Sequence, residues 1–252
     1  MAELAAGPRT RLELRDATSA SKATISRLLG AFENRGWVAR RGEQYHLTEL
    51  GAYVSTALGE FHGRMETAKN LQGLNSALPL ERLGLEIDDL TGATVTSPTA
   101  SNPLAAMVRL RELELGSFKS LGLASLFPEP CIDARHAAVV GDSQRFEVVV
   151  SPTVVEAALS SNCSHKFMEL VDADRCEVHL YHGSIEPLAS VNDGTACLVV
   201  RDKKTDAISL VETPNPTIVG IVSDAFEEYR SQATLLTTDS IRRIFEDDAP
   251  VA

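Results

Sequence analysis

The chain has 252 residues, of which 44% are hydrophobic, 23% charged and only 5% aromatic, a composition that describes a folded protein with an aliphatic core and excludes a disordered or fibrous one. Its net charge of −11 argues against a uniformly basic nucleic-acid binder, but residues 1–45 carry eight Arg or Lys against five acids, which leaves that segment at +3 and the remainder at −14. No apolar run reaches the roughly 18 to 20 residues of a membrane span and MAELAAGPRTR lacks the apolar centre of a signal peptide, so no membrane partner and a cytoplasmic location are expected.

The first element in chain order is TRLELRDA, a short helix capped by Thr10, with Glu13 completing a capping box and Leu12, Leu14 and Ala17 facing inward. After a break at residues 18–20, Ser21 caps a second helix whose Ala23, Ile25, Leu28, Leu29 and Phe32 recur at helical spacing, and Gly36 suits the left-handed position that closes it. Residues 37–41 and 45–47 then read as two strands around a Gly42-Glu43-Gln44 turn, a hairpin short enough to be a wing. Thr48 caps a long helix over 49–71 with Leu50, Val54, Leu58, Phe61 and Met65 in one stripe.

Residues 72–89 read as a linker. From there to residue 245 strand-like stretches (93–96, 118–123, 145–150, 176–181, 187–191, 196–201, 208–212) interleave with helical ones (103–115, 132–140, 152–160, 166–172, 217–231). That alternation predicts an α/β sandwich, α+β for the chain as a whole, with three segments: 1–71, 72–89 and 90–245, and a frayed tail over 246–252. Cys131, Cys163, Cys176 and Cys197 form no CxxC pair and lack histidines at zinc-ligand spacing, so buried thiols are expected and no metal or cofactor.

A recognition helix places short polar and basic side chains against base edges while longer ones grip phosphates. SKATISR meets that demand: Lys22, Thr24, Ser26 and Arg27 project away from the apolar stripe, and Ser21 stands at a helix N-terminus, where free amides favour phosphate. The wing adds Arg40 and Arg41 beside its turn with Gln44 opposite, and Arg9 and Arg11 near the start of the first helix hold phosphates. In the acidic part, Arg135, His136 and Ser151 are candidates for a small anionic ligand, whereas His179 and His182 read as half-exposed strand-end residues.

Residues 7–51, GPRTRLELRDATSASKATISRLLGAFENRGWVARRGEQYHLTELG, resemble the winged-helix domain of archaeal MarR/ArsR-like and TrmB-like regulators. LTGATVTSPTA (90–100) and AFEEYR (225–230) resemble the effector domain of the archaeal methanogenesis-regulator group, common in haloarchaea, and an excess of eighteen Arg over six Lys is in keeping with a salt-adapted protein. The resemblance implies a C-terminal domain shaped like the phospholipase D fold and used for sensing. It also implies a full first helix, where here only residues 1–6 precede the motif, so that either the start lies upstream or the first helix is short and a partner subunit replaces its face. His165-Lys166 lacks the spacer of the HxK signature, so on a strand the two side chains would leave on opposite faces, and no enzymatic activity is expected. The resulting expectation is a winged helix-turn-helix transcription regulator that binds double-stranded DNA as a homodimer and responds to a small-molecule effector. The alternative is a protein-interaction module that uses the winged helix as a docking platform.

Overall fold

The computed structural model describes residues 1–74, 77–141, 143–186, 188–202 and 205–246, without the side chains of residues 245 and 246. It divides into two compact units, Met1–Ala68 and Lys69–Ala252.

The first unit runs α1 (Ala2–Ala5), β1 (Arg9–Thr10), α2 (Arg11–Thr18), α3 (Lys22–Asn34), β2 (Val38–Arg41), β3 (Gln44–Leu47) and into the long α4 (Glu49–Asn70). Local chemistry sets the boundaries. The Thr10 amide donates to Glu13 Oε2 at 2.7 Å and the Glu13 amide to Thr10 Oγ1 at 3.3 Å, the reciprocal pair that starts α2. The Thr24 amide donates to Ser21 Oγ at 3.1 Å at the head of α3, and Gly36 takes φ 68° past its end. Arg41 pairs with Gln44, so the wing turn is the two residues Gly42 and Glu43, and Gln44 is already in the strand rather than in the turn. The third strand was not expected: β1 pairs with β3, giving the antiparallel order β1-β3-β2.

The core of this unit is Leu4, Leu14, Ile25, Leu29, Val38 and Tyr45. Leu12, Ala17, Ala23 and Leu28 are exposed instead of inward-facing. So small a core takes one residue from α2 and two from α3, and the rest of each apolar stripe stays outside. Residues 2–5 form only one helical turn, and Leu4 carries its packing. At the head of α4, Thr48 Oγ1 accepts from the Gly51 amide at 3.0 Å and donates to Gly36 O at 2.6 Å. This brings α4 so close to Trp37, the residue before β2, that a Cβ at Gly51 would stand 1.7 Å from Trp37 O.

The second unit contains α5 (Leu80–Leu83), a 3-10 turn (Ile87–Leu90), β4 (Thr94–Thr96), α6 (Ala105–Leu115), β5 (Lys119–Ala124), α7 (Glu129–Val140), β6 (Arg145–Val150), α8 (Pro152–Leu159), α9 (Ser164–Val171), β7 (Cys176–Leu180), β8 (Leu188–Asn192), β9 (Thr195–Arg201), β10 (Ile208–Thr213), α10 (Pro216–Ser231), β11 (Thr234–Leu235), α11 (Thr238–Ile241) and a π turn (Arg242–Glu246). Eight strands form one sheet in the order β11-β7-β6-β5-β8-β9-β10-β4, parallel across β7, β6 and β5 and antiparallel elsewhere. Phe146, Val148, Val150, Val178 and Leu180 on one face pack with Ile132, Val155 and Phe167 of α7, α8 and α9. The opposite face, with Val191, Leu198 and Val211, packs against Ile218 and Val222 of α10.

The seven expected strands and five expected helices of this unit are all present, with ends displaced by a few residues; Pro187, placed at the head of one strand, lies outside the described residues. The expected linker is a correction. Leu74, Leu83 and Leu85 are buried in the core beside Leu90 and Ala189, so 77–89 is part of the second unit, while Asn75 and Ser76 lie outside the described residues. Of the tail expected to fray, residues 247–252 lie outside the described residues, and residue 246 ends the π turn.

Trp37 is the one tryptophan of the chain, so its fluorescence follows the first unit. Gly51→Ala is expected to lower the denaturant midpoint of that signal by the equivalent of about 1–3 kcal/mol, the usual cost of overpacking against a fixed neighbour. Gly59→Ala, where a Cβ meets nothing within 4 Å, is expected to raise it by up to about 1 kcal/mol from helix propensity. Equal effects of the two substitutions would contradict the close approach of α4 to Trp37.

Candidate nucleic-acid interface

Helix α3 is held by one side. Ile25 and Leu29 are buried, while Ser21, Lys22 and Arg27 are exposed and Thr24 and Ser26 half-buried. The hydroxyls of Ser21 and Thr24 are 2.9 Å apart, so the first turn presents a fixed polar edge with Lys22 beside it. The helix N-terminus is capped from within, which leaves the charge of Lys22 and Arg27 as its outward contribution.

The strand register sorts the basic residues around the wing. Arg9 and Arg40 both stand opposite Tyr45, so all three share one face of the small sheet; Thr10, Gln44 and Arg41 share the other. The Tyr45 ring lies under two guanidinium groups, that of Arg11 at 5.4 Å from its centroid and that of Arg40 at 5.7 Å. Arg40 is held further by donating from Nε to Gly42 O at 2.8 Å. Arg41 and Gln44 are exposed at the turn.

Arg9 departs from expectation. It belongs to β1 rather than to the head of a helix, is half-buried, and its Nε, like the Tyr45 hydroxyl, has no hydrogen-bond partner among the described residues. A buried donor without an acceptor is uncommon, and here two polar atoms in that state flank one face of the wing. The hydrogen bonds from Thr10, aided by the charge of Arg9, hold the Glu13 carboxyl below its ordinary pKa. Glu13 is therefore spoken for as a cap.

Two further arginines were not singled out by sequence. Arg35 stacks over Trp37 at 5.5 Å and donates to Ala31 O at 3.0 Å, and Arg15 pairs with its neighbour Asp16 at 2.8 Å. The Arg35-x-Trp37 spacing past the end of α3 was the available signal for the first of these.

In the second unit, Arg135, His136 and Ser151 have separate partners. Arg135 is buried and donates to Gln144 and Ser120, with its guanidinium 4.1 Å from the Phe146 ring centroid. His136 pairs with Glu169 of α9, and the Ser151 hydroxyl lies 2.8 Å from that of Thr153. The His165-Lys166 pair sits on α9, a helix rather than a strand; His165 is exposed and Lys166 donates to Asp133 at 2.7 Å. His179 is buried beside Glu177 at 3.2 Å instead of half-exposed, and burial lowers its pKa. Cys163, Cys176 and Cys197 are buried thiols and Cys131 is partly covered; burial pushes Cys131 and Cys197 up to about 11 and Cys176 up to about 12. Among the described residues no three metal-ligating side chains cluster, and no helix is long and apolar enough to cross a membrane.

Residues 1–70 match the family described as HVO_A0261 N-terminal domain, and residues 103–232 match the middle domain of methanogenesis regulatory protein FilR1. No curated protein matches the sequence. Among solved structures, the chain is similar to TrmBL2, an archaeal chromatin protein whose structure shows a novel mode of DNA binding, at 13% identity and a TM-score of 0.46, over 93% of this chain and 91% of that one. It is also similar to Nuc from Salmonella typhimurium, a phospholipase D family member, at 11% identity and a TM-score of 0.45 over 58% of this chain and 99% of that one. NucT from Helicobacter pylori is similar at 9% identity and a TM-score of 0.46, over 57% and 98%. AFEEYR lies inside the matched middle domain and LTGATVTSPTA just ahead of it. With the middle domain alone spanning more than half of its length, the chain belongs to the family of the methanogenesis regulatory protein FilR1.

Proposed function

We infer that this chain is a sequence-specific DNA-binding transcription regulator, a cytoplasmic homodimer without catalytic activity whose second unit responds to a small molecule. The observation that carries the reading is the one-sided burial of α3, which leaves Lys22, Arg27 and the polar first turn outside, next to a wing with Arg41 and Gln44 exposed at its tip. The +3 charge of residues 1–45 on an otherwise acidic chain supports it, since phosphate attraction acts through local rather than total charge. Lys22 and Ser26 contact bases in this reading, while Arg9, Arg11, Arg27, Arg40 and Arg41 contact phosphates.

The dimer is supported by α4. Its Leu58, Phe61 and Met65 are 51%, 63% and 54% exposed and fall on one side with Leu50 and Val54, an apolar stripe that a monomer leaves in water. A second copy packing stripe to stripe covers it. Two copies related by a two-fold axis present two α3 helices to successive major grooves, half-sites about 10 base pairs apart.

Three measurements test the reading. Arg40→Ala with Arg41→Ala is expected to weaken binding to every duplex alike and to flatten log Kd against log salt by about 1–2 units, at about 0.9 per phosphate contact; an unchanged salt slope removes the wing. Lys22→Ala and Ser26→Ala are expected to narrow the gap between specific and random duplexes by about 1–3 kcal/mol per lost base contact. Loss of nonspecific affinity alone places base reading elsewhere. Phe61→Glu is expected to turn the dimer into a monomer in sedimentation, and a dimer that survives it excludes the α4 stripe as the interface. Absence of any salt-dependent DNA affinity in the unaltered chain favours the docking-platform alternative.

A further inference from the structure

In the second unit, α6 and α7 do not close fully on the sheet. Between them, over β5, β8 and β9, lies a cavity of about 280 Å3. Its floor includes the small residues Gly122 and Ala124 of β5 and Ser190 of β8, beside Phe146 and Val148 of β6 on the same face. The backbone does not demand glycine at 122: its φ is not left-handed, and a Cβ there would be 3.4 Å from the Ser190 Cβ, an ordinary contact. What the small residues provide is room. The walls are mostly apolar, with Met107 and Leu110 from α6 and Val199 and Ile208 from the antiparallel strands; Arg201 of β9 also lines the cavity, its guanidinium engaged with Asp206 at 2.7 and 2.8 Å.

One end of the cavity is polar. Arg135 lines it, 2% exposed, with Nη1 donating to Gln144 Oε1 and Nη2 to Ser120 Oγ, both at 2.9 Å, and with Nη2 3.0 Å from Glu114 Oε1. The network continues, Ser120 Oγ donating to Asn192 Oδ1 at 2.7 Å and Asn192 Nδ2 to Ser190 Oγ at 3.0 Å. Glu114 and Ser190 also line the cavity. A buried ion pair and its network generally add little to stability over an apolar packing of the same volume, so the fold itself does not require a guanidinium here. Apolar walls meeting a few convergent polar groups are the usual make-up of a small-molecule site, and this volume falls near the small end of the roughly 300–1,000 Å3 such sites occupy.

We propose that this cavity binds a small carboxylic acid with an aromatic or branched aliphatic body, its carboxylate on Arg135 and Ser190 and its apolar part against Met107 and Ile208. The incoming carboxylate replaces that of Glu114 on Arg135. Glu114 stands in the last turn of α6, so its release couples occupancy to the seating of that helix. The consequence for DNA rests on the regulator reading; the binding does not.

The experiment titrates the full chain by calorimetry with phenylacetate, 4-methylvalerate and the neutral isostere phenylacetamide. One site per chain is expected for at least one of the acids, with phenylacetamide at least tenfold weaker than phenylacetate. Met107→Trp, which fills the cavity from its half-buried wall, is expected to abolish binding. Glu114→Gln, which removes the competing carboxylate and keeps a hydrogen-bonding group, is expected to tighten it several-fold. Heat from neither acid, equal affinity for acid and amide, an undiminished affinity in a folded Met107→Trp chain, or weaker binding by Glu114→Gln would overturn the proposal. A salt titration of the same preparation against duplex DNA separates the two readings. A chain that binds duplex but neither acid loses the cavity site and keeps the regulator, and one that binds acid but no duplex does the reverse.

Discussion

The burial of Ile25 and Leu29 against Leu14, Val38 and Tyr45 decides which side of α3 faces outward, and with it which side chains of the first unit are free to meet a partner. A core of so few side chains is marginal in area, so its geometry has to be supported at the edges. Thr10 and Glu13 fix where α2 begins, Ser21 fixes where α3 begins, and Gly51 lets α4 approach Trp37 closely enough to close the remaining side. Tyr45 joins packing to charge, since its buried ring is also the surface on which Arg11 and Arg40 rest. The position of the wing arginines is thus a consequence of core packing.

The second unit solves a different problem. Its sheet is covered on both faces, and its core is aliphatic nearly throughout. Among its buried polar residues, Arg135, Gln144, Ser120, Asn192 and Ser190 form a connected set beneath α6 and α7. Such a set is costly when half-satisfied and specific when complete. Its adjacency to a cavity with a glycine floor is what separates it from an ordinary buried ion pair.

The first unit was legible in sequence where its signals are local. A cap, an αL glycine and a two-strand alternation each act within about four residues, so α2, α3 and the wing could be placed closely from the letters alone. β1 could not, because two residues pair with β3 only once the wing exists. Leu12 and Leu28 looked buried because periodicity reports an apolar side without reporting how much core there is to receive it. Residues 77–89 read as a linker because Leu83, Leu85 and Leu90 stand among a glycine and several charges in no helical or strand period, and their burial depends on strands about a hundred residues later. Of the ligand candidates, Arg135 next to His136 reads in the sequence as a cation for an anionic ligand, yet its setting, fully buried beside Glu114, is not legible there, since arginine is ordinarily a surface residue. The alternation of Ser120, Gly122 and Ala124 along β5 is the sequence feature that corresponds to the space above that strand.

Sequence reading by the outward side of α3 is the step on which the proposed regulator stands. Selection of bound fragments from a random double-stranded library, followed by sequencing, isolates that step. An enriched motif with two-fold symmetry and half-sites one helical turn apart is expected. A bound pool with no enriched sequence, or no bound pool at low salt, would contradict it.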